Sequence, residues 1–127
     1  MSEARPYQRK DGSCPFDERF ERLGDARAAA RVDTTVRKLA RGLRPDVRSV
    51  GQGVQEARID YGPGYRVYFG LDGTELVVLL LCGDKRTQDE DIAFAKALWA
   101  EYRVRKALAA SKPGKPKPEP ILKPKED

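Results

Sequence analysis

The 127-residue chain contains no histidine. That absence removes imidazole acid–base catalysis, Ser-His-Asp triads and imidazole metal sites from the chemistry open to it. Any catalysis would have to run on Arg, Lys, Glu, Asp or Tyr. Cysteine is scarce as well. Cys14 and Cys82 are the two present, and their spacing fits no metal motif. Cys82 closes an apolar run and reads as a buried thiol. Two unpatterned cysteines and a start without signal-peptide character point to a reducing cytoplasm. No apolar stretch approaches the roughly 20 residues of a membrane span, and the run Leu76–Cys82 has only strand length. A membrane partner is therefore not expected.

Charge, by contrast, is abundant: 35% of residues are Asp, Glu, Lys or Arg, against 39% hydrophobic. Such a chain fits one domain with a modest core and no need of a disulfide framework. The net charge of +5 favours nucleic acid, an anionic surface or an acidic partner. Part of that charge lies in residues 111–127, where five Lys stand against three acidic residues among five prolines. This segment reads as a disordered, extended tail. It carries +2 and leaves +3 for the rest, which makes the domain only mildly basic.

Residues 1–14 are polar and irregular, with Arg5–Arg9 a possible short edge strand. The domain proper spans residues 15–110. Pro15 suits the first turn of a helix, and Phe16, Phe20 and Leu23 form one apolar stripe. Asp25 can cap a second helix, Ala26–Arg41, whose apolar positions are Ala29, Val32, Val36, Leu39 and Leu43. Arg27, Arg31, Arg37, Lys38 and Arg41 cover the rest of its surface, either as a solvated face or as a phosphate- or partner-facing one. Gly42 is a natural stop. After a connector, Arg44–Val50, that can hold a short strand, three runs read as strands: Val54–Tyr61, Tyr65–Leu71 and Glu75–Cys82. Gly62-Pro63-Gly64 and Asp72-Gly73 join them as hairpin turns, which predicts an antiparallel meander. Thr87 with Glu90 has the form of a capping box for a last helix, with Ile92, Ala95, Leu98, Trp99 and Tyr102 on its apolar side.

Strand alternation sorts the charges of this region. Glu56, Arg58 and Asp60 share one face of their strand, and Arg66 and Tyr68 share one face of the next. Leu76–Cys82 is apolar on both faces and reads as central and covered on both sides. One face of the sheet is expected to pack on the helical hairpin. The other is expected to present Glu56, Arg58, Arg66 and Tyr68, with Lys85 and Arg86 arriving from the edge. Arginines grip phosphate in bidentate fashion. Without His or a metal, such a cluster supports RNA cleavage by attack of the 2′-hydroxyl on the adjacent phosphate, with cations stabilising the phosphorane. The same residues can instead pair across the sheet, Glu56 and Arg58 with Arg66 or Asp60, and do nothing else.

The order of a Pro-Phe helix start, two helices, G-V-Q-E-A-R-I-D-Y-G-P-G-Y-R-V-Y-F and L-L-L-C-G-D-K-R-T-Q-D-E-D-I resembles the RelE/ParE superfamily of bacterial toxin–antitoxin toxins. Within it the chain is most similar to the addiction-module killer, HigB-like subgroup. The resemblance covers about residues 13–105. It implies an α+β fold: a small antiparallel sheet with an N-terminal αα-hairpin and a C-terminal helix. RelE-type members cut mRNA on the ribosome without metal or cofactor, and ParE-type members inhibit DNA gyrase without cutting. The implied partners are the ribosome, mRNA and a cognate antitoxin, expected to be a helix-turn-helix DNA-binding protein that covers the basic sheet face.

By resemblance, Arg66 matches the strand arginine on the scissile phosphate, Arg86 the second phosphate-binding arginine, and Arg58 a catalytic lysine. Lys85 joins Arg66 and Arg86 in RNA binding. Glu56 belongs to the E-x-R pattern of the subgroup. Ile92 stands where RelE-type members carry a tyrosine, which leaves Tyr68 or Asp91 to take its place. Glu56 or Tyr68 would then assist proton transfer. The three functional expectations are an mRNA endonuclease, a gyrase inhibitor, and an inactive member kept as a binding module.

Overall fold

The computed structural model describes residues 3–111. The Lys/Pro-rich segment from Lys112 onward, expected to be a disordered tail, lies outside the described residues. The chain runs β1 (Glu3–Pro6), α1 (Pro15–Glu21), α2 (Ala26–Ala40), β2 (Val47–Gly51), β3 (Val54–Ile59), β4 (Tyr65–Asp72), β5 (Leu76–Asp84), a 3-10 turn (Lys85–Thr87) and α3 (Gln88–Ser111). The fold is α+β, with a five-stranded sheet in the order β1-β5-β4-β3-β2. No helix among the described residues is long and apolar enough to cross a membrane.

Strands β2 to β5 form the antiparallel meander that the turn residues predict. β1 departs from it by pairing parallel to β5, with Ala4 beside Val77 and Pro6 beside Leu79. The sheet is therefore mixed, which corrects the expectation of an antiparallel one. Hairpins announce themselves in the Gly and Pro residues of their short turns. A parallel pair needs a long crossover and leaves no local mark.

The helical hairpin forms where its signals lie. Pro15 opens α1 with Asp17 and Glu18 in the first turn, where acidic side chains favour the positive end of the helix. The Asp25 side chain accepts from the backbone N–H groups of Arg27 (2.9 Å) and Ala28 (3.2 Å). The buried face of α2 is Ala28, Val32, Thr35 and Leu39, rotated slightly from the expected stripe. Leu43 lies past the helix end and stays 46% exposed.

Two apolar layers hold the sheet. Ala57, Val67, Phe69, Val77, Leu79 and Cys82 pack with Phe16, Val32 and Leu39 of the hairpin. Val54, Tyr68, Val78, Leu80 and Leu81 pack with Ala95, Leu98 and Trp99 of α3. A bulge makes the second layer possible. The β4–β5 register slips between Tyr68 and Phe69, which face Leu81 and Leu79. Leu80 and Leu81 consequently both join the α3 side, where strict alternation would separate them. Each fully buried Leu or Val is worth about 1.5–3 kcal/mol over its exposed state.

α3 lies across the sheet face expected to be open. Its predicted apolar side is correct in Ala95, Leu98 and Trp99. Its predicted capping box is not formed. Thr87 belongs to the 3-10 turn and its hydroxyl donates to Asp91 Oδ2 at 2.8 Å. The indole of Trp99 lies over Gly70 so closely that an added Cβ would stand 2.5 Å from its ring carbons. Gly70→Ala is therefore expected to destabilise the protein by about 1–3 kcal/mol, the range for overpacking. A urea titration with unchanged slope and a lowered midpoint would check it.

Candidate phosphate-binding groove

Arg58 and Arg66 stand directly opposite each other on β3 and β4. Like charges in that relation repel and are normally avoided. Lys85 reaches them from the turn after β5, and its backbone N–H donates to Gly64 O at 2.8 Å. The same carbonyl accepts from Arg66 Nη1 at 3.3 Å. The Gly62-Pro63-Gly64 turn thus holds the Arg66 guanidinium and the Lys85 backbone on one carbonyl oxygen. Together these residues line a surface groove of about 400 Å³, with Asp46 and Asp60 on its rim.

Three cations against two carboxylates leave the groove mildly positive. Arg58 contacts Asp46 at 3.4 Å, but both side chains are about half exposed. Such a pair contributes at most about 1 kcal/mol and yields readily to a stronger anion. Lys85 makes no ion pair among the described residues, and it is exposed. Arg66 is only 7% exposed, so what it offers the groove is one edge of its guanidinium.

The other expected site residues lie elsewhere. Arg86 does not line the groove. Its guanidinium folds back on Asp84, with Nη2–Oδ2 at 2.6 Å and Nε–Oδ2 at 3.2 Å. That contact holds the Asp84 carboxyl below its ordinary range. Glu56 and Tyr68 share the sheet face of Arg58 and Arg66, as alternation requires, yet both are fully buried beneath α3. The expectation of an open face carrying them is corrected. Alternation assigns a side chain to a face, and a long-range contact decides whether that face meets water.

Glu56 accepts from Arg48 Nε at 2.8 Å and from Gln88 Nε2 at 2.9 Å, with Arg66 Nε at 3.5 Å. Tyr68 stands opposite Glu56 on β4, and its hydroxyl, although close to the Glu56 carboxylate, makes no hydrogen bond of good geometry among the described residues. Burial first, then the neighbouring Glu56 carboxylate, pushes the phenol pKa far above its usual value. Both groups are sealed from any substrate in the groove. Ile92 is half-buried and packs into the α3-side core. Asp91, the other candidate for the missing tyrosine, is 1% exposed and held by Arg19 Nη2 at 3.0 Å and by Thr87.

Arg48 and Gln88 were not among the expected site residues, and Gly64 was expected only as part of a turn. Arg48 lies on the edge strand that the sequence marks only weakly, so its register opposite Glu56 had no local sign. Gln88 reads as a helix-start residue, and nothing nearby in sequence indicates a buried carboxylate above it.

The chain is similar to a protein of Haemophilus influenzae (strain ATCC 51907 / DSM 11121 / KW20 / Rd) described as uncharacterized, with 44% identity over 86 residues. The matched region is 68% of this chain and 87% of that protein. Neither a family model nor a solved structure matches.

The unpartnered Tyr68 hydroxyl allows a direct check. Removing a buried hydroxyl that makes no well-formed hydrogen bond relieves its desolvation penalty. Tyr68→Phe is expected to leave stability unchanged or raise it by up to about 1 kcal/mol, measured by thermal melting. A clear loss would mean that the hydroxyl has a partner after all.

Proposed function

The chain belongs to one family with that Haemophilus influenzae protein, and we propose that it is a RelE/ParE-type toxin that cleaves mRNA on the ribosome. The observation that carries this reading is the opposed pair Arg58 and Arg66 with Lys85 beside them. A phosphodiester seated between the two guanidiniums would relieve their mutual repulsion and gain charge-assisted hydrogen bonds. In the reaction, the ribose 2′-hydroxyl attacks the phosphate and the 5′-oxygen leaves. The added negative charge on the phosphorane is stabilised by Arg58, Arg66 and Lys85.

Glu56 and Tyr68 move no protons in this scheme, because substrate cannot reach them. Proton transfer falls to solvent or to groups on the ribosome. Arg86 acts at the groove's border through long-range charge rather than as a phosphate ligand. The partner that restrains the toxin is an antitoxin, for which a small helix-turn-helix protein encoded beside it is the expected form.

One observation favours a second reading. Glu56 and Tyr68, the two side chains expected to move protons, are sealed away from the groove, which suits a non-catalytic toxin that binds DNA gyrase.

Induction of the protein alone should arrest growth and create new mRNA 5′ ends within codons. Arg66→Ala should lower cleavage by about a hundredfold, the scale for losing one preorganised charge-stabilising donor. Growth arrest with intact mRNA and blocked supercoiling would replace the nuclease reading with the gyrase one. No effect on growth would sink both.

A further inference from the structure

Glu56 is 0% exposed. A buried carboxylate persists in charged form only where its partners offset its lost hydration. Its partners come from three elements: Arg48 of β2 on Oε1, Gln88 of α3 on Oε2, and Arg66 of β4 near Oε2. The Arg66 contact, at 3.5 Å, is an ion pair rather than a hydrogen bond, and Nε is buried without another partner among the described residues. The opposite end of the same guanidinium reaches Gly64 O through Nη1. Arg66 is thus held at its Nε edge by a carboxylate under α3 and at Nη1 by the turn that borders the groove.

We propose that Glu56 is a positioning residue for Arg66. Its carboxylate, fixed by Arg48 and Gln88, sets the plane and direction of the guanidinium so that its Nη edge faces the groove. This rests on the reading of Arg66 as a phosphate ligand. Bidentate recognition of phosphate depends on the guanidinium plane. An unrestrained arginine gives up rotamer freedom when a ligand fixes it. Holding Arg66 in place beforehand removes most of that loss from the binding step. Glu56 also has a contrary effect, since a carboxylate beside Arg66 lowers its attraction for an anion. The two effects predict opposite signs when the charge is removed.

The test measures binding of a single-stranded RNA oligonucleotide to the wild type, Glu56→Gln, Arg66→Ala and the double variant, each first shown to melt cooperatively. Glu56→Gln should weaken binding by about tenfold, the scale of one charged hydrogen bond. The double variant should bind no more weakly than Arg66→Ala alone, because a positioning residue has nothing to position once Arg66 is gone. A purely structural Glu56 would lower the melting temperature and leave RNA affinity unmoved. Unchanged or tighter binding by Glu56→Gln, or an undiminished effect in the Arg66→Ala background, overturns the proposal.

Should Glu56→Gln not fold, Gln88→Ala loosens the same carboxylate by removing one hydrogen bond. It should weaken binding in the same direction, and unchanged affinity would count against positioning. The Arg66 Nε–H resonance gives an arm independent of RNA: it should shift and exchange faster when Glu56 or Gln88 is changed. If the wild type binds no RNA at any salt concentration, the phosphate reading of Arg66 falls. An unmoved Nε–H resonance would overturn the positioning itself.

Discussion

A carboxylate without access to water sits in the sheet, and three elements converge on it with hydrogen bonds and ion pairs. Glu56 takes Arg48 from the edge strand, Arg66 from the central strand and Gln88 from the first turn of α3. The row continues across β4 and β5 through Tyr68 and Leu81. A buried ion pair adds little to stability beyond what well-packed apolar residues would supply. Removing one partner, however, typically costs about 3–5 kcal/mol, because the other charge is left without compensation. Glu56 therefore acts less as a source of stability than as a constraint on register. β2, β4 and α3 must all sit where their donors reach one carboxylate.

A second buried carboxylate works at the same end of α3. Asp91 receives the Thr87 hydroxyl and pairs with Arg19 of α1, whose Nη1 also donates to Cys82 O. The close approach of Asp91 to β5 depends on Gly83, where a Cβ would lie 2.2 Å from Oδ2. The start of α3 is thereby tied to the sheet through Gln88 and to the helical hairpin through Asp91. Farther along, Trp99 seats the helix over Gly70. These contacts fix the 3-10 turn before α3, and with it Lys85 at the rim of the groove. The groove's geometry is thus a consequence of how two buried acids anchor one helix.

Much of the architecture was legible because its causes are local. Asp25 caps α2 as its position before the helix suggests, Pro15 opens α1, and the Gly-Pro-Gly and Asp-Gly turns join strands that pair as hairpins. The stripe on α2 was displaced, since periodicity alone does not tell Ala28 from Ala29 as the residue that meets the sheet. Thr87 looked like a cap, but a buried acid one turn later competes for its hydroxyl. Of the candidate site, Arg58, Arg66 and Lys85 do come together. Arg86 is diverted by its neighbour Asp84, a contact between residues two apart that the sequence shows but cannot rank.

By itself, the sequence determined which side of the sheet the charged residues of β3 and β4 face, where helices begin and where strands turn back, and which chemistry is excluded by the lack of histidine. Those properties follow from the two-residue repeat of a strand, the 3.6-residue repeat of a helix, the backbone freedom of glycine and the fixed φ of proline. Only the tertiary structure decided that β1 closes the sheet in parallel, that a bulge puts Leu80 and Leu81 on one side, and that α3 covers Glu56 and Tyr68 while leaving Arg58 exposed. The reason is physical: burial is set by what a distant segment places over a face, and periodicity along one strand carries no information about that segment.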